Sequence, residues 1–467
     1  MRKGRMQLLK LFVLIFAMSS CDKLLDIKPD NVRVEGEAIR TEADLQFLLN
    51  SVYDALRSDY FMGGNDWVAA ELLADNLNAN SVTGNLQAIY NRNTTIFNSV
   101  SRQLWDQAYT CIYRCNLVLK YVQTVNGLKP EVKAKIMGEA HFLRAFCHFE
   151  LVRFFAQPYG FSPGNGHLGI PIRIVPGILP IARNTVNDVY TQVISDFNFA
   201  ILELPSDYSS GRPNLWAAKA MLARVYFQEN DFFFALKYAK DAVENSSAIF
   251  QPDFTKRFSN ATNTDNLFEL LSNGSGTTGQ QSGALLGSLY TSTINKPTLT
   301  YTKDFYNELK RDAGEKRLGD WSKLVPANGS NPEDYYPTKL NYSVRFNIPV
   351  IQLVEMKLIY AESALEEGDP TTAKIQLNDV RLRAGLSKYT TSNTALLFDE
   401  IRHQRRLEMV LEGNRVHDLK RQAIRAGGGA FLIRNAAWNC PGLVLAIPDD
   451  EMSANAKMVQ NILGGCN

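Results

Sequence analysis

The spacing of hydrophobic positions predicts a chain built mainly of long α-helices. In residues 138–155, apolar side chains recur at helical spacing and cover most of the helix circumference, which predicts a helix buried on most sides. Similar periodic runs predict helices over 42–57, 104–123, 187–203, 214–228, 349–366 and 397–412. Strand-like alternation is scarce. The pattern therefore predicts a mainly α protein with a single large helical domain.

Two segments, 215–243 and 353–381, share the order helix, acidic turn, helix. Equivalent positions hold the same residue types: Asp231 and Asp369, Ala235 and Ala373. Small alanines at a helix crossing let two antiparallel helices pack closely, as in tetratricopeptide-type pairs. Because the two pairs are not consecutive, we expect a scaffold of tetratricopeptide-like helix pairs with long irregular loop insertions.

The insertions are polar and occupy about 245–345. The stretches 245–266, 272–302 and 326–343 are rich in Ser, Thr, Asn and Gly, and loops of that length are usually functional or disordered. Recurrent aromatic residues argue against simple disorder: Tyr290, Tyr301, Phe305, Tyr306, Trp321, Tyr335, Tyr336 and Tyr342. We therefore expect variable ligand-binding insertions in this part of the chain.

The N-terminus reads as an export signal. Basic residues open the chain, an apolar run covers residues 8–18, and two serines precede Cys21. The run is shorter than the roughly 20 apolar residues that span a bilayer. A cysteine at this junction is typical of bacterial lipoprotein signals, in which the thiol takes a diacylglyceryl group. We predict a signal peptide over 1–20 and a lipidated Cys21; an ordinary secretory cut beside an incidental cysteine is the alternative.

Composition and charge exclude several classes of protein. The 467 residues are 45% hydrophobic and 21% charged with a formal net charge of +2, which gives no basic stripe for nucleic acid. Apart from Cys21, the cysteines are odd in number and irregularly spaced, so no disulfide scaffold is predicted. A bridge between Cys440 and Cys466 remains open.

No motif supports catalysis or a metal site. The chain lacks HExxH, GxSxG, P-loop and CxxC patterns. His141 and His148 share a helix stripe, but Arg144 lies between them and its permanent charge would repel a metal ion. We interpret both histidines as structural, and predict no catalytic residue, no metal and no cofactor.

Six ordered segments resemble the signatures of the SusD/RagB family. They are CDKLLDIKP (21–29), 105–119, 138–160, GIPI (169–172), 404–421 and 446–461, and they cover nearly the whole of 21–467. The resemblance implies an outer-membrane lipoprotein of Bacteroidetes, held at the cell surface by its lipid anchor. Such proteins cap a SusC-like TonB-dependent transporter and capture nutrients, typically oligosaccharides, without catalysis. The alternative is the same scaffold capturing a peptide or another non-glycan nutrient.

The charged residues of the 404–421 segment are interpreted as a brace and not as a site. They are Arg406, Glu408, Glu412, Arg415, Asp418 and Arg421. We expect them to form an ion-pair network that fixes this corner of the fold.

Candidate ligand-binding residues follow from sugar chemistry and from the resemblance. Aromatic rings stack on the CH faces of sugars, and Asp, Asn and Arg bond their hydroxyls. The resemblance places the glycan site on the loop after an early helix and on the long insertion. The candidates are Asp75, at the family's early acidic position, Asn76 and Tyr90, chosen for chemistry, and the insertion rings Tyr290, Trp321 and Tyr336. We expect the three rings to lie on flexible polar loops; the alternative is that Tyr290 and Trp321 pin their loops to the scaffold.

Overall fold

A computed structural model describes residues 39–79, 81–258, 263–272, 284–291, 296–340 and 346–466. The predicted signal peptide, the lipidation site Cys21 and the ring of Tyr342 lie outside these ranges. The described residues form sixteen α-helices and eight short strands.

The first half is almost entirely helical. Its elements are α1 (Glu42–Leu56), α2 (Asn65–Leu73), β1 (Leu77–Asn78), α3 (Gly84–Tyr90), α4 (Ser99–Tyr121), α5 (Pro130–Phe155), α6 (Val186–Glu203), α7 (Leu215–Glu229) and α8 (Phe232–Asn245). Helix α5 lies between α4 and α6, and from Gly138 onward nearly all of its side chains are buried. The prediction of a helix buried on most sides is confirmed.

The second half carries the other seven strands. Its elements are β2 (Asn266–Leu270), α9 (Ala284–Tyr290), β3 (Thr300–Tyr301), α10 (Lys303–Leu309), α11 (Lys316–Trp321), β4 (Ser322–Val325), β5 (Asp334–Pro337), β6 (Ile348–Gln352), α12 (Leu353–Glu366), α13 (Pro370–Arg383), α14 (Thr394–Glu408), α15 (Arg415–Arg425), β7 (Leu432–Ile433), β8 (Ala436–Ala437) and α16 (Asp449–Ala454). The strands pair antiparallel as β1–β3, β2–β6, β4–β5 and β7–β8.

One predicted helix begins later than its pattern suggests. The run 349–366 is helical only from Leu353, because Ile348–Gln352 is strand β6 on β2. All five residues of β6 are buried, and periodicity alone does not separate such a strand from a buried helix.

The two helix–turn–helix segments are confirmed as α7–α8 and α12–α13, and they pack together through α8 and α12. Asp231 and Asp369 cap the second helix of each pair by accepting backbone N–H bonds, from Phe234 at 3.1 Å and from Thr372 at 3.0 Å. The alanines at the crossings, Ala235 and Ala373, have no solvent exposure. Their tetratricopeptide-like character stays a prediction.

The predicted ion-pair network is confirmed, and its centre is Glu408. This buried carboxylate accepts hydrogen bonds from Arg257 and Arg317, each at 2.9 Å, and is paired with Arg383. Other members pair in the same way: Glu412 with Lys339 at 2.6 Å, Asp418 with Arg405 at 2.8 Å, and Arg421 with Glu362 at 3.1 Å. The network therefore joins α14, α15 and the connection between them to distant parts of the chain.

Cys440 and Cys466 form a disulfide. It holds the C-terminal segment against the loop that precedes α16. Cys111, Cys115 and Cys147 are free thiols buried in the helical core.

Candidate functional site

The first two predicted site residues lie where α2 ends, and arginines hold both. Arg415 donates to the two carboxylate oxygens of Asp75 at 2.7 and 2.8 Å. Burial alone would raise the pKa of Asp75, but Arg415 and Arg406 lower it to about 2. Asn76 has no solvent exposure, and its Oδ1 accepts from Arg406 Nε at 2.9 Å. In this structure both side chains act as parts of the brace.

Tyr90, the third early candidate, lies at the end of α3 and is half-buried. The guanidinium of Arg434 lies 4.1 Å from the centroid of its ring and interacts electrostatically with Asp75 as well. One face of the Tyr90 ring is thus covered by a cation. The structure brings Asp75, Asn76 and Tyr90 to one neighbourhood.

Short strands join this neighbourhood to the insertion. In the β1–β3 ladder, Leu77 pairs with Tyr301 and Asn78 with Thr300. The backbone N–H of Thr302 also donates to the carbonyl of Asn76 at 2.9 Å. The loop after α2 and the insertion therefore lie side by side, while their part in ligand binding stays a prediction.

The expected placement of Tyr290 and Trp321 on flexible polar loops is wrong. Tyr290 is the last residue of α9 and is 1% exposed; Trp321 ends α11 and has no exposure. The Trp321 ring packs edge-on against Phe254 at 4.9 Å, with Lys339 Nζ 4.4 Å from its centroid. Polar composition hid two short helices whose apolar faces bury these rings. The burial of both rings agrees with the alternative expectation, that they pin the insertion to the scaffold.

Tyr336, the remaining ring, is half-buried on β5, opposite Lys323 of β4. Its neighbour Tyr335 is stacked on Tyr306 of α10 with 4.5 Å between ring centroids. Strand β5 lies against β3, so this tyrosine group lies close to the β1–β3 ladder. A ligand contact by Tyr336 stays a prediction.

A groove that sequence reasoning missed lies between the α1–α2 connection and helices α3, α4 and α9. Its volume is about 470 Å³. The connection contributes Asp59 and Tyr60. The other lining residues are Asn65, Leu86, Val100, Gln103, Ala284, Leu285 and Ser288. The same helix α3 therefore carries Leu86 in the groove and Tyr90 beside the brace.

The polar groups of the groove suit a hydroxyl-rich ligand. The Tyr60 side chain is 41% exposed, whereas one carboxylate oxygen of Asp59 is buried and has no hydrogen-bond partner among the described residues. Burial raises the pKa of Asp59 to about 6, an effect opposed by the backbone N–H of Leu285. Asn65 donates to Gln103 at 2.8 Å, which fixes both amides. The Tyr60 ring, the Asp59 carboxylate and the two amides therefore line one groove, whose remaining wall is largely apolar.

A local signal could have pointed to this groove. The connection between α1 and α2 contains Asp59 and Tyr60 followed by Gly63 and Gly64. A Cβ on Gly64 would lie 2.6 Å from the carbonyl oxygen of Asp59 and 2.9 Å from a methyl group of Leu285. Glycine is needed because the turn approaches α9 closely. A tight turn that carries an acid and an aromatic residue is a reasonable candidate for binding.

The described residues contain no group of three or more His, Cys, Asp and Glu placed to hold a metal ion. The structural interpretation of His141 agrees with its contact to Asp196, at 2.8 Å from Nδ1. None of the helices in the described ranges is long and apolar enough to cross a membrane.

Two models of known protein families match separate parts of the chain. The family model described as "Starch-binding associating with outer membrane" matches residues 23–227, and the model described as "SusD family" matches residues 306–464. The chain belongs to the SusD/RagB family, as its ordered signatures indicate.

Relatives and solved structures agree with this assignment. A SusD-like protein of Bacteroides ovatus is 23% identical over 464 residues, which cover 89% of this chain and 82% of the relative. SusD-like protein P2 of Formosa agariphila is 26% identical over 253 residues, so that match spans 53% of this chain and about half (48%) of the relative.

Solved structures show the same mainly helical fold. A putative sugar binding protein from Bacteroides vulgatus superposes with a TM-score of 0.78 and 27% identity, covering 91% of this chain and 99% of the other. A laminarin binding SusD-like protein superposes with a TM-score of 0.72 at 21% identity, with the same coverage, and supports the fold alone.

Proposed function

We propose that this protein captures oligosaccharides at the cell surface for import through a SusC-like TonB-dependent transporter. Family membership supports the role, and the groove beside Tyr60 is the observation that carries it. A sugar ring could stack on Tyr60 while its hydroxyls bond Asp59 and Gln103. The helices that frame the groove keep these groups in place, which lowers the ordering cost of binding.

The build of the groove favours glycan over peptide. Peptide capture by strand addition needs an exposed sheet edge with free backbone groups. The groove is lined by helices and by the turn between two helices, and helical backbone groups are largely bonded within the helix. Its lining also includes a single carboxylate, Asp59, whereas most glycosidases use a pair. Binding without cleavage is the activity that this geometry supports.

A combined glycan and peptide array tests the ligand class. The protein would be produced without residues 1–20, labelled, and applied to both sets of probes. We expect retention on a family of related oligosaccharides and recovery of each glycan intact. Retention on peptides alone would favour the alternative nutrient.

Substitution of Cys21 tests the anchor. Cys21→Ala is expected to move the protein from the membrane fraction to the soluble fraction, since two or more acyl chains are needed for lasting attachment and only an acylated thiol would carry them. Ser20→Ala is the matched control, because it changes the neighbouring residue and leaves the thiol. Fractionation of cells followed by immunoblotting gives the answer; a Cys21→Ala protein that still requires detergent for release contradicts the anchor.

A further inference from the structure

The connection between α5 and α6 exposes a dense apolar patch. Ile174, Val175, Ile178 and Leu179 are 49%, 67%, 90% and 76% exposed. Single exposed apolar residues are ordinary, but a contiguous patch on a soluble surface marks an interaction site. This connection has no part in the glycan groove.

Buried polar side chains hold the backbone of this loop. Asn116 of α4 donates its amide N–H groups to the carbonyls of Arg173 and Val175, at 3.0 and 3.3 Å. Arg144 of α5 donates to the carbonyl of Ile174 at 3.2 Å, and is itself held by two bonds of 2.6 and 2.8 Å to Asp196. Buried side chains therefore hold three consecutive backbone carbonyls of the loop, those of residues 173–175.

Two further contacts fix the loop ends. The backbone N–H of Arg173 donates to Nε2 of His148, a residue with no exposure. Burial lowers the pKa of His148 to about 4, so its ring is neutral at ordinary pH and can accept this bond. The Arg173 guanidinium donates to the carbonyl of Leu179 at 3.2 Å, which closes the loop on itself. The patch is presented in one conformation, which reduces the entropy lost on binding.

A groove of about 410 Å³ lies between this loop and α4. Val175 and Ile178 form one wall, and Tyr113, which is 38% exposed, lies on the other. The groove also contains two carboxylates, Asp106 and Glu451, and one guanidinium, that of Arg173; in the described part of the chain neither carboxylate has an ion-pair partner within 4 Å. The nearby Asp450 is paired with Arg102 at 3.2 Å.

The acidic groups indicate the charge of the group that would bind in the groove. Burial and the neighbouring carboxylates Asp450 and Glu451 raise the pKa of Asp106, although Arg102 opposes them, so a further cation placed in the groove would relieve the remaining repulsion. An anionic membrane surface would meet the same repulsion. The groove therefore favours a protein segment that carries Lys or Arg beside apolar residues.

We propose that the loop 173–179 and its groove form the docking surface for a protein partner that presents a basic side chain flanked by apolar ones. The inference rests on the proposed function, and the partner is the outer-membrane barrel of the import complex. The signature helices α4 and α5 then have a second purpose beyond core packing: Asn116, Arg144 and His148 shape this surface.

Co-purification from native membranes tests the surface. The double variant Ile178→Lys, Leu179→Lys removes apolar contacts and repels a basic partner, and because both side chains are mostly exposed the melting temperature should not change. Gentle solubilisation of the wild type should recover a large barrel, identified by mass spectrometry, and the double variant should recover at least ten-fold less. Ile375→Lys on α13, where Ile375 is 56% exposed, is the matched control and should recover as much as the wild type.

A second arm tests the groove chemistry. Asp106→Asn combined with Glu451→Gln should reduce barrel recovery and weaken its dependence on salt. A photo-reactive residue at position 178 should crosslink to the barrel; crosslinks to lipid alone would overturn the proposal.

The outcomes separate this inference from the proposed function. Equal barrel recovery by the wild type and by the Ile178→Lys, Leu179→Lys variant overturns the docking surface and leaves the import role intact. A wild-type protein that recovers no barrel overturns the transporter role and this surface together.

Discussion

Glu408→Gln is expected to destabilise the protein by about 3–5 kcal/mol, the usual cost of removing one partner from a buried ion pair. The substitution keeps the shape of the side chain but leaves Arg257, Arg317 and Arg383 without their shared carboxylate. All three arginines are buried. Denaturant unfolding followed by circular dichroism would measure the difference.

Glu333→Gln is the matched control for this prediction. Glu333 is paired with Lys303, and since their side chains are 40% and 67% exposed, a pair of this kind contributes little to stability. An equal effect of both substitutions would contradict the central place of Glu408.

The same carboxylate predicts the direction of the acid response. Burial alone would raise the pKa of Glu408, but Arg383, Arg257 and Arg317 lower it to about 2. A carboxylate whose pKa is lower in the folded than in the unfolded state stabilises the fold at pH values above its unfolded pKa. That contribution is lost as the pH falls through the folded pKa, here toward pH 2. The wild type should therefore lose stability between about pH 5 and pH 2, and Glu408→Gln should lose less over the same range.

Trp321→Ala is expected to cost about 3–5 kcal/mol of stability, because it opens a large cavity in a fully enclosed site. The ring has no exposure and lies between Phe254 and Lys339. Tyr336→Ala is the control from the same insertion, and since its ring is half-buried the cost should be smaller. Thermal unfolding gives the comparison. A Trp321→Ala protein with unchanged stability and weaker glycan binding would return this ring to the ligand site.

The helices were predictable because burial on one or more faces leaves a period in the sequence. Helix α5 shows this clearly, and the helix–turn–helix order around Asp231 and Asp369 was also legible. Strand β6 was not, because a five-residue run that is buried on both faces carries no alternation.

The brace was predictable in kind but not in its partners. Clustered charges on 404–421 indicated an ion-pair network, yet the arginines that hold Glu408 are 151, 91 and 25 residues away. Such pairings are set by tertiary packing, which a single sequence does not record.

The candidate site was the least predictable part. The polar composition of the insertions predicts exposed rings, but short helices there bury Tyr290 and Trp321. The exposed ring of Tyr60 lies in a short connection between two helices, where Gly63 and Gly64 indicate a tight turn but not the groove beside it. The groove follows from tertiary packing, which brings Leu285 of α9 close to Gly64.

Calorimetric titration of Tyr60→Ala with the glycan identified on the array tests the central claim most directly. If the ring stacks on sugar, affinity should fall by about 1–2 kcal/mol, or roughly 5- to 30-fold, as for aromatic residues at binding hot spots. The melting temperature should not change, because the side chain is 41% exposed. Tyr113→Ala, at 38% exposure in the other groove, is the control and should bind glycan as the wild type does. Unchanged affinity in a Tyr60→Ala, Gln103→Ala double variant would contradict the assignment of this groove as the glycan site.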